Sequence, residues 1–135
     1  MCAEPLQQEG YDFMAAAFAV YNEIGNGFTE EIYQEALEME LQDRKIPFVP
    51  QPELGICYKG KPLRKKFRPD LMVFSSIVVE LKAVAFLTDE HKAQLLNYLK
   101  ATGKPVGYLV NFGCREELEW KRFVRTKKLA SISEN

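Results

Sequence analysis

Histidine and cysteine are scarce in this chain: one histidine, His91, and three cysteines, Cys2, Cys57 and Cys114, spread over 135 residues. No C-x-x-C pair is present, which leaves no ligand set for a zinc ribbon or an iron–sulfur cluster. Scattered thiols in odd number fit a reducing compartment better than a disulfide framework. Long apolar runs are lacking too. The longest, FMAAAFAVY at residues 13–21, is about half of the roughly 18 residues that a membrane span needs, and the polar opening MCAEPLQQEG has no signal-peptide pattern. A cytoplasmic protein that contacts no membrane is expected. A charge excess of one sign is also missing. Lys and Arg number 18 against 19 Asp and Glu, a net charge of −1, so composition alone does not mark a bulk polyanion binder.

What is present suits one compact domain over residues 1–135: 47% of residues are hydrophobic and 27% charged, enough for a real core but not for two. The charges are unevenly placed. KGKPLRKKFR, residues 59–68, holds six basic residues and no acid, KRFVRTKK at 121–128 holds five more, and residues 30–43 are acidic. Either basic run can be a solvated face or a phosphate-binding one.

YDFMAAAFAVYNEI, residues 11–24, is apolar nearly all round and predicts a buried helix, ended by Gly25-Asn26-Gly27. A second helix over residues 28–45 is predicted, with Thr29 as N-cap, Glu30 and Glu31 in its first turn, and Pro47 beyond its end. Strands follow at 53–58, 67–74 and 77–83, separated by a KGKP turn and by Ser75-Ser76, and are expected to form an antiparallel meander. Thr88 can cap a helix running to Thr102, with Gly103 after it and Pro105 beyond. PVGYLVNFG, 105–113, reads as a strand buried on both faces, and 118–124 as a weaker final strand. Residues 126–135 read as a frayed tail. Helices, three strands, a helix and a further strand define an α/β fold with a mixed sheet.

Within RPDLMVFSSIVVELKA, residues 68–83, three charges interrupt an otherwise apolar and β-branched stretch. Glu80 and Lys82 are two apart on one strand and so share a face. Asp70 joins them only if the connection is odd in length; a two-residue Ser75-Ser76 turn would set it opposite Leu81 instead. The odd register is expected on energetic grounds. Two carboxylates and an ammonium on a half-buried face make sense if they hold a divalent cation together, and Mg²⁺ suits one or two carboxylates plus a substrate phosphate. The alternative is a weak surface ion pair.

Pro69-Asp70 followed, after nine intervening residues, by Glu80-Leu81-Lys82 resembles the PD-(D/E)XK signature of metal-dependent nucleases. GFTEEIY at 27–33 fits G-x-x-E-x-x-Y. With the YKG, ELKA, QLLNYLKATG and LVNFG segments, it makes the chain similar to the GxxExxY family of that superfamily. Gln94-x-x-x-Tyr98 is similar to the Q-x-x-x-Y element of RecB-type and phage lambda exonucleases. The resemblance implies a restriction-endonuclease-like mixed sheet (αβββαβ) flanked by helices, with an extra N-terminal helix. It implies Asp70, Glu80 and the backbone carbonyl of Leu81 as ligands of Mg²⁺ or Mn²⁺, with Glu30 binding directly or through water. Lys82 would lie beside the attacking water, with Gln94 and Tyr98 positioning the phosphate or that water. Lys59, Lys61, Arg64, Lys65, Lys66 and Arg68 are near enough in sequence to reach a nucleic-acid backbone, of DNA by expectation.

Helical spacing is compatible with these roles. Phe28, Ile32, Tyr33, Ala36, Leu37, Met39 and Leu41 fill one arc of the second helix, with Glu31, Glu35 and Glu38 opposite and Glu30 at the inner edge. On the later helix His91, Gln94 and Tyr98 share a stripe at the rim of the Leu95–Leu99 core face; the alternative is a core-edge tyrosine hydrogen-bonded to a glutamine, and His91, outside the family's motif, is better read as structural than as part of the chemistry. Three readings follow: a metal-dependent nuclease, a non-catalytic nucleic-acid-binding or interaction module on the same scaffold, and a stable protein with a buried ion-pair network. The short chain carries no separate specificity domain, so a homodimer or a partner protein is expected to help grip a duplex.

Overall fold

The computed structural model describes residues 5–125 and 132–134. Two helices come first, α1 (Gln7–Ile24) and α2 (Glu30–Asp43). Five strands follow: β1 (Phe48–Pro50), β2 (Leu54–Tyr58), β3 (Lys61–Phe67), β4 (Leu71–Val73) and β5 (Ile77–Lys82). The chain continues through α3 (Asp89–Thr102), β6 (Val106–Asn111), β7 (Glu119–Arg125) and β8 (Ile132–Glu134). The main sheet runs β1-β4-β5-β6-β7-β8, and β2 and β3 form a separate hairpin. β5 and β6 are parallel, joined across α3, and every other pairing is antiparallel.

Strand alternation sorts the core into two layers. Ile77, Val79 and Leu81 of β5 pack with Phe13, Ala17, Tyr33, Leu37 and Leu41 of α1 and α2. Val78, with Met72 and Leu109, faces Leu95 and Leu99 of α3 and Phe67 of the hairpin. β6 serves both layers, and all six of its residues are buried, as its apolar run predicts. α3 begins at Thr88, whose hydroxyl accepts from the His91 N–H while His91 Nδ1 accepts from the Thr88 N–H, a reciprocal capping box. It ends at Gly103 in the left-handed region, φ 75°, as the sequence predicts.

Several expectations need correction. The three-strand meander is not formed, because the stretch expected as one strand at 67–74 breaks at Arg68-Pro69-Asp70. Its first part pairs with β2 in the hairpin, and its second, β4, enters the main sheet between β1 and β5. Pro69 supplies no N–H to a ladder, which accounts for the break. The basic run is not a turn leading into the Asp70 strand. Most of it is strand β3, reversed at its tip by Lys59 and Gly60, both at positive φ, as a two-residue hairpin requires. β1 was not foreseen, being a three-residue edge strand that ends in proline.

The apolar arc of α2 is narrower than expected. Tyr33, Leu37 and Leu41 are fully buried, but Phe28, Ile32 and Met39 are exposed. Thr29 is the N-cap residue in extended conformation, without a side-chain capping bond. On α1, Tyr11 and Phe18 reach solvent, so that helix is not buried all round. The frayed tail expected over 126–135 falls largely outside the described residues, and its described part, β8, pairs with β7.

Candidate active site

The β4–β5 connection decides the register. Three residues, Phe74, Ser75 and Ser76, link the strands, with Phe74 and Ser75 at positive φ, and Leu71 pairs with Val79, Met72 with Val78 and Val73 with Ile77. One step further, this odd register sets Asp70 opposite Glu80. The two acids are tied through the backbone: the Asp70 N–H donates to Glu80 Oε1 at 3.1 Å, and the Leu81 N–H donates to Asp70 Oδ2 at 2.6 Å. Each carboxylate uses one oxygen in these bonds and keeps its other oxygen for a further partner.

Burial dominates the electrostatics of the pair. Desolvation raises the Asp70 pKa; the Leu81 N–H works against it, Glu30 adds to it, and Lys82 works against it. Glu80 is pushed up to about 7, first by burial, then by the neighbouring Asp70, with the Asp70 N–H and Lys82 working against the rise and Glu30 adding slightly. Two carboxylates that resist ionisation in the free protein are a site where a cation would restore the charged forms and release protons.

Two clefts of opposite character meet at this pair. On one side a pocket of about 210 Å³ is lined by Glu30, Glu31, Gln34, Glu35, Glu38, Gln51, Asp70 and Leu81. Glu31, Glu35 and Glu38 therefore do not simply face away into solvent, as the helical wheel implied, but wall the Asp70 side. On the other side a cleft of about 410 Å³ is lined by Ile56, Leu63, Lys65, Lys66, Phe67, Arg68, Glu80 and Tyr98. The hairpin's cations thus line the same cleft as Glu80, with Arg68 also ion-paired to Glu53 on the surface. Lys59 lies over the Tyr58 ring at 5.4 Å, at the hairpin tip.

Tyr98 stacks on Phe67, ring centroids 3.6 Å apart, and burial together with the Glu80 charge raises its pKa while a hydrogen bond from Gln94 opposes this. Gln94 itself is exposed and lines a separate depression with Thr88, Glu90, His91, Ala93 and Asn97. It therefore bears on the pair only through Tyr98. His91 is absorbed by the helix cap. Glu30 is exposed at the start of α2, near enough to influence both acids. Among the described residues, however, no three His, Cys, Asp or Glu side chains are grouped as ligands of one metal ion. The acids brought together are therefore Asp70 and Glu80, and two carboxylates suffice for a hard cation such as Mg²⁺ when substrate and water complete its shell.

Sequence reasoning missed Gln34, whose Nε2 donates to the Asp70 carbonyl at 2.8 Å and fixes the strand end from the α2 side. Its position one turn after Glu30 was the available signal. Tyr33 of the GFTEEIY segment has a structural part: its hydroxyl donates to the Gly25 carbonyl and accepts from the Phe28 N–H, and its ring stacks on Phe112 at 4.5 Å. It fixes the α1–α2 turn that presents Glu30.

The site is thus a half-buried acid pair where a short β-turn-β unit meets a parallel neighbour, with a lysine two residues on. The PD-(D/E)XK nuclease superfamily profile matches residues 7–123, and the chain belongs to that superfamily. The mixed sheet with its flanking helices is the restriction-endonuclease-like fold. Among solved structures, the crystal structure of SSO0001 is similar with a TM-score of 0.55 and 26% identity, covering 68% of this chain and 48% of that one. The chain thus spans about half the length of that protein. No curated protein matches the chain. No helix among the described residues is long and apolar enough to cross a membrane.

Proposed function

We propose that this protein is a metal-dependent nuclease that hydrolyses phosphodiester bonds, in DNA by preference, and that it belongs to the GxxExxY group on the strength of the GFTEEIY, ELKA and LVNFG segments. The observation that carries the reading is the backbone-locked Asp70–Glu80 pair, with Lys82 on the same strand face as Glu80. Asp70, Glu80 and the Leu81 carbonyl would hold Mg²⁺ or Mn²⁺, with Glu30 contributing through water. When bound, the ion supplies Lewis-acid neutralisation of charge at the phosphate.

The chain's own residues do the rest. Lys82, two residues beyond Glu80, orients the attacking water and offsets the negative charge that develops on the pentacoordinate phosphorus. Tyr98, held over Phe67 and steered by Gln94, directs its hydroxyl toward the scissile phosphate. Lys65, Lys66 and Arg68, which line the cleft that holds Glu80, would bind backbone phosphates, with Lys59, Lys61 and Arg64 extending the path along the hairpin. Such contacts position a strand without reading its sequence. The free thiols of Cys57 and Cys114 support a cytoplasmic setting.

Cleavage of linear and closed circular DNA with and without Mg²⁺ tests the proposal, with Lys82→Ala as control. Metal-dependent cutting that Lys82→Ala abolishes is expected. Unchanged cutting in that variant would locate the activity elsewhere. That no third acid is grouped with the pair among the described residues favours a second reading, a non-catalytic nucleic-acid-binding module, for which DNA would bind in Mg²⁺ and remain intact.

A further inference from the structure

The LVNFG segment has no part in the site as described, yet it holds a fully buried amide. Asn111 is 0% exposed. Its Oδ1 accepts from the N–H groups of Val84 at 2.9 Å and Gly113 at 3.0 Å. Its Nδ2 donates to the Val84 carbonyl at 3.0 Å and to Glu119 Oε1 at 2.9 Å. The same Glu119 oxygen accepts from the Leu87 N–H at 3.0 Å. Four bonds fill the capacity of an amide side chain.

β6 is otherwise apolar and buried, where a polar side chain left unpaired is destabilising, so the core itself has no use for an asparagine. What it ties down is the segment after Lys82. Lys82 pairs with Asn111 in the parallel ladder, and the Phe112 N–H donates to the Lys82 carbonyl at 2.8 Å. Val84 is held by both its N–H and its carbonyl. Leu87, held by Glu119, directly precedes the cap of α3. Gly113 lets the β6–β7 turn press on the same segment: a Cβ there would lie 2.4 Å from the Val84 nitrogen and oxygen. Residues 83–87 are therefore fastened at both ends, next to Lys82 and next to the helix that carries Gln94 and Tyr98.

We propose that Asn111 and Glu119 are positioning residues of the nuclease centre. Their clip sets Lys82 and the start of α3 on one rigid support, so that Lys82 and Tyr98 meet Glu80 in fixed relation. The proposal rests on the nuclease reading. Neither residue touches the pair, and both act through backbone groups of the 83–87 segment. Pre-organisation of this kind acts on turnover more than on substrate binding, and a displacement of about 1 Å costs up to about 100-fold in rate.

Three variants test it: Glu119→Ala, Asn111→Asp, and the conservative Glu119→Gln, whose amide oxygen can still accept from Asn111 Nδ2 and from the Leu87 N–H. Glu119 is only half-buried, so Glu119→Ala remains informative if Asn111→Asp fails to fold. The readouts are kcat and KM on a labelled DNA oligonucleotide in Mg²⁺, and amide hydrogen exchange at Val84 and Leu87 with β5 and β6 core amides as reference. Glu119→Ala and Asn111→Asp are each expected to lower kcat by about 10- to 100-fold with KM within about twofold, and to speed exchange at Leu87, with Glu119→Gln keeping most of the wild-type kcat. Faster exchange with unchanged kcat, a kcat loss that only follows the unfolded fraction, or a Glu119→Gln variant as impaired as Glu119→Ala overturns the positioning role. A wild-type protein that cuts nothing in Mg²⁺ overturns the nuclease reading, and the proposal with it; an active wild type with unaffected variants overturns the clip alone.

Discussion

Replacing Glu80 by glutamine removes an ionisation that the fold resists while keeping an oxygen to accept the Asp70 N–H. In the unfolded chain Glu80 titrates near 4.5, and in the folded one near 7, chiefly because burial penalises its charge. A carboxyl whose pKa is raised on folding binds its proton more tightly in the native state. Its contribution to stability is fully present below pH 4.5 and is lost as the pH rises through 7. A rise from 4.5 to about 7, at about 1.4 kcal/mol per pH unit, amounts to about 3 kcal/mol lost by pH 8. Glu80→Gln escapes that loss. In EDTA at pH 8 the variant is expected to be up to about 3 kcal/mol more stable than wild type by urea denaturation, or about 10 °C higher in Tm, while at pH 4 the two converge. Mg²⁺ at about 100 times its Kd adds roughly 2.7 kcal/mol to any protein with an intact site, so it should narrow the gap at pH 8 by stabilising wild type and leaving the variant unchanged. A variant no more stable than wild type at pH 8, or one with the same advantage at pH 4, would refute the account of Glu80 as a desolvated, ion-awaiting carboxylate.

Lys82→Ala should reduce turnover by at least about 100-fold while leaving the Mg²⁺-induced rise in Tm intact, since the lysine serves the reaction rather than the ion; parallel calorimetry and cleavage assays check this. Lys65→Ala and Lys66→Ala should weaken DNA binding similarly for all sequences and each lower the slope of log K against log salt by about 1, measured by fluorescence anisotropy. Tyr33→Phe deletes the hydroxyl that joins the Gly25 carbonyl to the Phe28 N–H but keeps the Phe112 stack, and should cost about 1–2 kcal/mol of stability by chemical denaturation.

What the sequence shows of this fold depends on how far each segment decides its own fate. α3 was legible to the residue, because Thr88, Gly103 and Pro105 are local signals that act within a turn of the helix end. β6 was legible because burial on both faces leaves no room for polar alternation. β3 was not, since LRKK has neither apolar alternation nor strong β propensity; pairing with β2 and the anchoring of Phe67 beside Tyr98 make it a strand. Burial on α2 was overestimated at Ile32 and Met39 because a helical wheel gives direction but not the width of what covers it.

The site was legible to a different degree, for a related reason. Asp70 and Glu80 meet because one residue too many for a two-residue turn lies between β4 and β5, and that odd loop could be expected only by asking why three charges would be placed in an apolar run. Cost is what made the pair visible: a carboxylate held against desolvation must be explained by something, and most arrangements of the chain would have avoided it. Gln34, on a helix face open to water, carried no such signal, and Asn111, though polar within an apolar strand, named no partner. Each is satisfied by backbone groups far away in sequence, Gln34 by the Asp70 carbonyl and Asn111 by Val84, which only the fold brings near. The residues proposed for chemistry stand out in this chain because charge in an apolar run is costly locally, whereas those proposed to hold them in place are recognised from their contacts.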